Sequence, residues 1–189
     1  HVFSFFLRGL CLTLLLGGFT LSQAQSEVTN EQLLKLYEGL RVADVCDGMD
    51  MVGLTNVGLM DPRISPLWKD IDSFSHQLVG IAFTVRYVPS QRPMHPGTLD
   101  REAYKKWRDE WYTNLSGEPF IKEIEPGHVI MIDNKDDGDA GTVGSNNSML
   151  WTREGAVGII ASGGVRDTDE VIKQGIPVYM DYFKRGRGI

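Results

Sequence analysis

Short apolar runs alternate with polar, helix-length stretches along the second half of the chain. Val129-Ile130-Met131-Ile132-Asp133, Ala156-Val157-Gly158-Ile159-Ile160-Ala161 and Ile176-Pro177-Val178-Tyr179-Met180 have the length and β-branched content of buried strands. Between and beside them, residues 148–154 and 168–174 read as helices. The repeated strand–helix order predicts an α/β layered domain.

The first half follows other patterns. A helix is predicted over residues 28–40, where Thr29 or Asn30 serves as cap and Leu33, Leu36 and Leu40 share a face. Residues 42–50 predict a short helix running into a turn at Gly53. Residues 61–67 are extended and punctuated by Pro62 and Pro66, and residues 78–88 form a strand. Residues 90–119 change character. A helix over 100–115 groups Tyr104, Trp107, Trp111 and Tyr112 at helical spacing, while His95 lies in a Pro/Gly loop and reads as a surface residue. An aromatic stripe of this kind packs on its own domain or a neighbouring subunit, or lines a ligand pocket. There is no internal repeat.

Charge narrows the partners. Nineteen basic residues against 25 acidic ones leave a net charge of -6, which argues against nucleic acid or an anionic membrane surface as partner. An anionic substrate would need a local basic group.

At the start, Arg8 precedes an apolar stretch over 10–19, followed by the small residues of Ser22-Gln23-Ala24. This reads as a secretory signal peptide over 1–25, with the mature chain spanning 26–189. The expectation is export to the periplasm or the medium, without stable membrane insertion after cleavage; an uncleaved anchor is the alternative. Cys46 is then the one thiol left, so no disulfide forms within a subunit. Its apolar surroundings, with no nearby His, read as buried packing.

Two segments carry candidate chemistry. In the polar loop, Asp133, Asp137 and Gly138 partly mimic a calcium loop, yet Lys135 stands at a ligand position and Gly144 replaces the closing glutamate. The spacing of Gly138, Gly141 and Gly144 is no dinucleotide fingerprint. Gly144-Ser145-Asn146-Asn147 opens the next helix, where unpaired N–H groups and the helix dipole make an anion cradle. Ser145 or Asn146 capping that helix is compatible with this reading.

The second segment, Ala161-Ser162-Gly163-Gly164-Val165-Arg166-Asp167, delivers an adjacent guanidinium and carboxylate to a glycine-rich strand end. Arg166 suits a two-pronged grip on a substrate carboxylate, and Asp167 offers a hard oxygen ligand to a divalent cation. The plain alternative is a strand-end ion pair with Asp167 capping the following helix.

Taken together, the Gly144–Asn147 turn, Gly155-Ala156-Val157-Gly158-Ile159-Ile160, Gly164-Val165-Arg166-Asp167 and Pro177-Val178-Tyr179 resemble one family. It is the RraA-like family of 4-hydroxy-4-methyl-2-oxoglutarate aldolases and regulators of ribonuclease E activity. Val45-Cys46-Asp47-Gly48-Met49, residues 79–85 and Glu125-Pro126-Gly127-His128-Val129-Ile130 are similar to its earlier segments, and residues 90–119 look like an insertion.

The resemblance implies a swivelling β/β/α layered domain assembled as homotrimers or hexamers, with sites between subunits. It implies that Arg166 binds the carboxylate of a small oxo acid and that the amides of Gly144, Ser145, Asn146 and Asn147 hold the same moiety. Asp167 would ligate Mg²⁺ or Mn²⁺, partly through water, and Arg166, Asp167 and Ser145 would form the catalytic set. The implied activity is class II-type, metal-dependent cleavage of a 4-hydroxy-2-oxo acid to pyruvate, with oxaloacetate decarboxylation through the same enolate. The alternative is a non-catalytic binding or regulatory protein. Two departures stand out. Many aldolase members carry an acidic residue where Ser145 stands, and the chain stops at Ile189 where members continue, so it reads as truncated at the C-terminus.

Overall fold

A computed structural model describes residues 28–88, 97–115, 117–134 and 141–181. The predicted leader, His95, and the loop residues Lys135, Asp137 and Gly138 lie outside the described residues.

Helix α1 (Asn30–Leu36) begins at a capping box in which Thr29 and Gln32 satisfy each other's backbone N–H, and α2 (Val42–Met51) follows. Next come β1 (Ile64–Pro66), β2 (Ile81–Arg86) and α3 (Arg101–Asn114), which Asp100 caps by accepting from the Ala103 N–H at 2.8 Å. A 3₁₀ turn at Pro119–Glu123 leads to β3 (His128–Asp133), then β4 (Gly141–Val143) and α4 (Ser145–Glu154). The chain continues through β5 (Gly158–Ala161), β6 (Gly164–Val165), α5 (Thr168–Gln174) and β7 (Val178–Asp181).

Five strands form one sheet in the order β1-β7-β5-β3-β2. Strands β2, β3, β5 and β7 pair in parallel, and β1 closes the edge antiparallel to β7. The register sets Phe83 beside Ile130, Ile130 beside Ile159 and Ile159 beside Val178. Ile130, Ile159 and Val178 are fully buried, as are Trp151 of α4 and Val171 of α5 in the same core. Each such side chain contributes roughly 1.5–3 kcal/mol of apolar burial. The opposite face is less covered: Thr84 is exposed, and Met131, Ile160 and Tyr179 are half-buried. The apolar runs are thus fully buried on the face that carries α4 and α5.

Gly155 ends α4 at φ 123°, and a β-carbon there would stand 2.7 Å from the Pro126 nitrogen. The helix therefore stops where only glycine fits, and the chain turns directly into β5.

The N-terminal helices do not enter this core. Neither α1, α2 nor α3 has a buried residue, and Leu36, Val42 and Met51 are 69%, 81% and 86% exposed. Cys46 is exposed on α2, which corrects its reading as buried packing, because α2 presents its apolar positions outward. On α3 the rings of Trp107 and Trp111 stack at 5.7 Å, and Tyr104 and Tyr112 are exposed. Among the described residues no helix is long and apolar enough to cross a membrane.

Candidate functional site at the start of helix α4

Strands β4 and β6 form a separate parallel pair, Gly141 beside Gly164 and Val143 beside Val165. Each is too short to leave a period-two pattern, so the sequence read this region as loop and turn. Their pairing brings two distant segments together. The Arg166 N–H donates to the Val143 carbonyl at 2.7 Å, which sets Arg166 and Asp167 beside the Gly144 turn.

Asp167 sits in the left-handed region, at φ 52° and ψ 39°. Aspartate tolerates that conformation better than most residues. It occupies the cap position of α5 without a side-chain cap bond. Its Oδ2 instead accepts from the Ser145 N–H at 3.3 Å and the Ser145 hydroxyl at 3.4 Å. The carboxylate thus faces the first turn of α4, where the helix dipole favours negative charge by about 0.3–1 kcal/mol. Gly144, with no side chain, is the cap residue of α4. The expected caps from Ser145, Asn146 and Asp167 therefore do not form; tertiary contact redirects the carboxylate to another helix.

Ser145 is 5% exposed, and its carbonyl accepts from the Ser148 hydroxyl at 3.0 Å and from Gln174 Nε2 at 3.1 Å. The last residue of α5 thereby holds the first turn of α4. The N–H groups of Asn146 and Asn147 have no partner among the described residues, as expected of a first helical turn. The Asn147 side chain is already engaged, because its Nδ2 donates to the carboxylate of Glu118.

Arg166 is half-buried, and among the described residues its guanidinium makes no hydrogen bond or ion pair. The strand-end ion pair with Asp167 is therefore not formed. Gly144, Ser145 and Asp167 are brought into contact, whereas Arg166 is fixed beside them through its backbone. An open groove of about 450 Å³ runs along the half-covered sheet face, lined by Met60, Ile64, Thr84, Met131 and Ile160, and includes none of the four.

The donor set decides what cation these groups could hold. No cluster of three or more His, Cys, Asp or Glu side chains occurs among the described residues. Asp167 leaves Oδ1 without a described partner, so it fits one ligand position of a hard cation that keeps most of its water, as Mg²⁺ does. Glu118 and Gln174 were not legible as site residues in the sequence. They reach the turn across 29 residues, with no local spacing to mark the contact.

These features define a mixed α/β domain with a charged turn where one strand pair meets a helix. The chain belongs to the RraA-like family (Aldolase/RraA), whose pattern it matches over residues 42–185. Three solved structures share the fold. The first is described as novel cellulases from microbes associated with the gut ecosystem (TM-score 0.60, 22% identity, 87% of this chain and 64% of that one). The second is RraAS2 of Streptomyces coelicolor, described as an unusual member of the RNase ES inhibitor RraA protein family (0.55, 19%, 82% and 64%). The third is an uncharacterized protein from Pseudomonas syringae pv. tomato (0.54, 24%, 85% and 62%). The chain thus spans 62–64% of the length of these relatives. No functionally curated protein matches the sequence.

Proposed function

We propose that this chain is a divalent-metal-dependent lyase that cleaves a 4-hydroxy-2-oxo acid of the 4-hydroxy-4-methyl-2-oxoglutarate type to pyruvate and also decarboxylates oxaloacetate. One observation carries the reading: the Asp167 carboxylate faces the first N–H of α4, and the preceding residue, Arg166, is held at the same turn by its backbone with a guanidinium that has no described partner. Arg166 takes the substrate carboxylate in a two-pronged hydrogen bond. The N–H groups of Asn146 and Asn147 hold the same end of the substrate at the helix terminus. Asp167 holds Mg²⁺ or Mn²⁺, partly through water. When bound, the cation supplies Lewis-acid stabilisation of the enolate left by C–C cleavage. Ser145 orients Asp167, and since a serine is no base at neutral pH, the C4 hydroxyl proton leaves to water.

The test is pyruvate release by the full chain from oxaloacetate or 4-hydroxy-4-methyl-2-oxoglutarate with Mg²⁺. Release above the metal-only control that disappears in Asp167→Ala supports the assignment. Undiminished release from that variant, or none from the wild type, ends it.

Ser145 favours a second reading, an oxo-acid-binding or regulatory protein without turnover. Calorimetric titration separates the two, because a pure binder takes up pyruvate without needing Mg²⁺. For either reading we place the mature chain outside the cytoplasm and in a homotrimer or hexamer. The exposed apolar side chains of α1 and α2 support assembly, and sedimentation measures it.

A further inference from the structure

Glu118 lies in the segment that the sequence marks as an insertion, and it gathers three donors from outside it. Its Oε1 accepts from the Tyr87 hydroxyl at 3.1 Å and from Asn147 Nδ2, and its Oε2 accepts from the Trp151 indole N–H at 2.9 Å. Tyr87 directly follows β2, while Asn147 and Trp151 lie one turn apart on the same face of α4. Trp151 is fully buried, and the Phe120 ring packs on it with centroids 5.7 Å apart. No cation pairs with Glu118 among the described residues. Its charge is carried by neutral donors, and hydrogen bonds to an ionised acceptor are about twice as strong as neutral ones. Burial, with the neighbouring charge of Glu118, pushes the Tyr87 hydroxyl well above the usual tyrosine range, so it stays protonated and donating.

Two successive turns of α4 are thus tied to one carboxylate. The first of them carries the N–H groups of Asn146 and Asn147. Left alone, a helix N-terminal turn frays, and those donors lose their common direction.

We infer that Glu118 is a positioning residue for the oxo-acid turn: by fixing the Asn147 side chain it holds the main-chain donors of α4 in line for the substrate carboxylate. This rests on the function proposed for the same turn. It also gives residues 90–119 a direct physical link to substrate binding.

Two measurements on the full chain test it. In steady-state kinetics with oxaloacetate and Mg²⁺, Glu118→Gln raises KM about tenfold, the weight of one charge-assisted hydrogen bond, with kcat within about twofold. In an Asn147→Ala background the same substitution leaves KM unchanged, because the route through Asn147 is already cut. In hydrogen exchange of the ligand-free chain, Glu118→Gln speeds exchange of the amides at 148–151, whose acceptors lie in the first turn. An equal KM effect in both backgrounds would assign Glu118 to packing around Trp151 and overturn the inference, as would unchanged exchange. If the wild type releases no pyruvate, the lyase assignment falls by itself. Exchange then decides alone: faster exchange in Glu118→Gln upholds the clamp, and unchanged exchange removes it.

Discussion

The Oδ2 atom of Asp167 lies 3.1 Å from the point where a β-carbon on Gly144 would stand. Gly144 has an extended backbone, φ -126° and ψ 172°, which any residue adopts. It is the nearness of a carboxylate from another segment that makes a side chain there a tight fit, which the carboxylate must shift to admit.

Gly144→Ala therefore displaces Asp167 by a few tenths of an ångström while leaving the fold in place. We expect a stability loss under about 1 kcal/mol, as for substitutions without a core defect. Mg²⁺-dependent pyruvate release drops at least tenfold. Chemical denaturation and the oxaloacetate assay, run on the same preparation, check both halves.

Asp167→Gly separates strain from function. The left-handed backbone costs a non-glycine residue roughly 1–2 kcal/mol, and glycine removes that cost while giving back part of it as unfolded-state entropy. The expected result is an unchanged or higher melting temperature together with loss of Mg²⁺-dependent turnover. A clear fall in melting temperature would show that the Ser145 contacts at 3.3 and 3.4 Å outweigh the strain.

Trp151 contributes through volume and through one N–H. Trp151→Ala empties a fully buried site and costs about 3–5 kcal/mol. Trp151→Phe keeps an aromatic ring toward Phe120 but removes the donor to Glu118 and part of the buried volume, a smaller loss of about 1–2 kcal/mol. Urea unfolding of the two variants should show the larger free-energy change in Trp151→Ala.

His76 predicts a pH dependence in a defined window. It is buried between Trp68 and Tyr179, with ring centroids at 4.5 and 4.9 Å, and its Nε2 accepts from the Val178 N–H at 3.1 Å. Burial holds its pKa below the usual histidine value, so the folded chain keeps it neutral. The unfolded chain binds the proton first. The stability it contributes is whole above an unfolded pKa of about 6.5 and is lost as pH falls from there toward the folded value. Asp44 and Asp61, held near about 2 by Arg41 and Arg63, act only at lower pH. Melting temperature should fall between about pH 7.5 and 5.5 in the wild type and fall less in His76→Phe.

Much of the architecture was legible along the chain. Helix α5 spans the predicted residues 168–174, and strands β3, β5 and β7 coincide with the apolar runs to within two residues. The Gly144 turn was recognised as a helix start, and the α/β class followed from the alternation. Local patterns suffice for these because strand and helix periods and glycine breaks act over a few neighbouring residues.

Other features came only from the folded chain. The pairing of β4 with β6 leaves no periodic trace, and without it Asp167 has no reason to face Gly144. Nothing local says that Asp167 abandons its own helix for the Ser145 N–H, or that Glu118 reaches Asn147 and Trp151 across 29 and 33 residues. The exposure of Cys46 likewise reflects where α2 sits, since its neighbours in sequence are apolar. Sequence alone thus determined which elements form and which residues could do chemistry. The three-dimensional packing decided which of those side chains meet, because side-chain direction and long-range pairing are set by contacts between segments that share no local pattern.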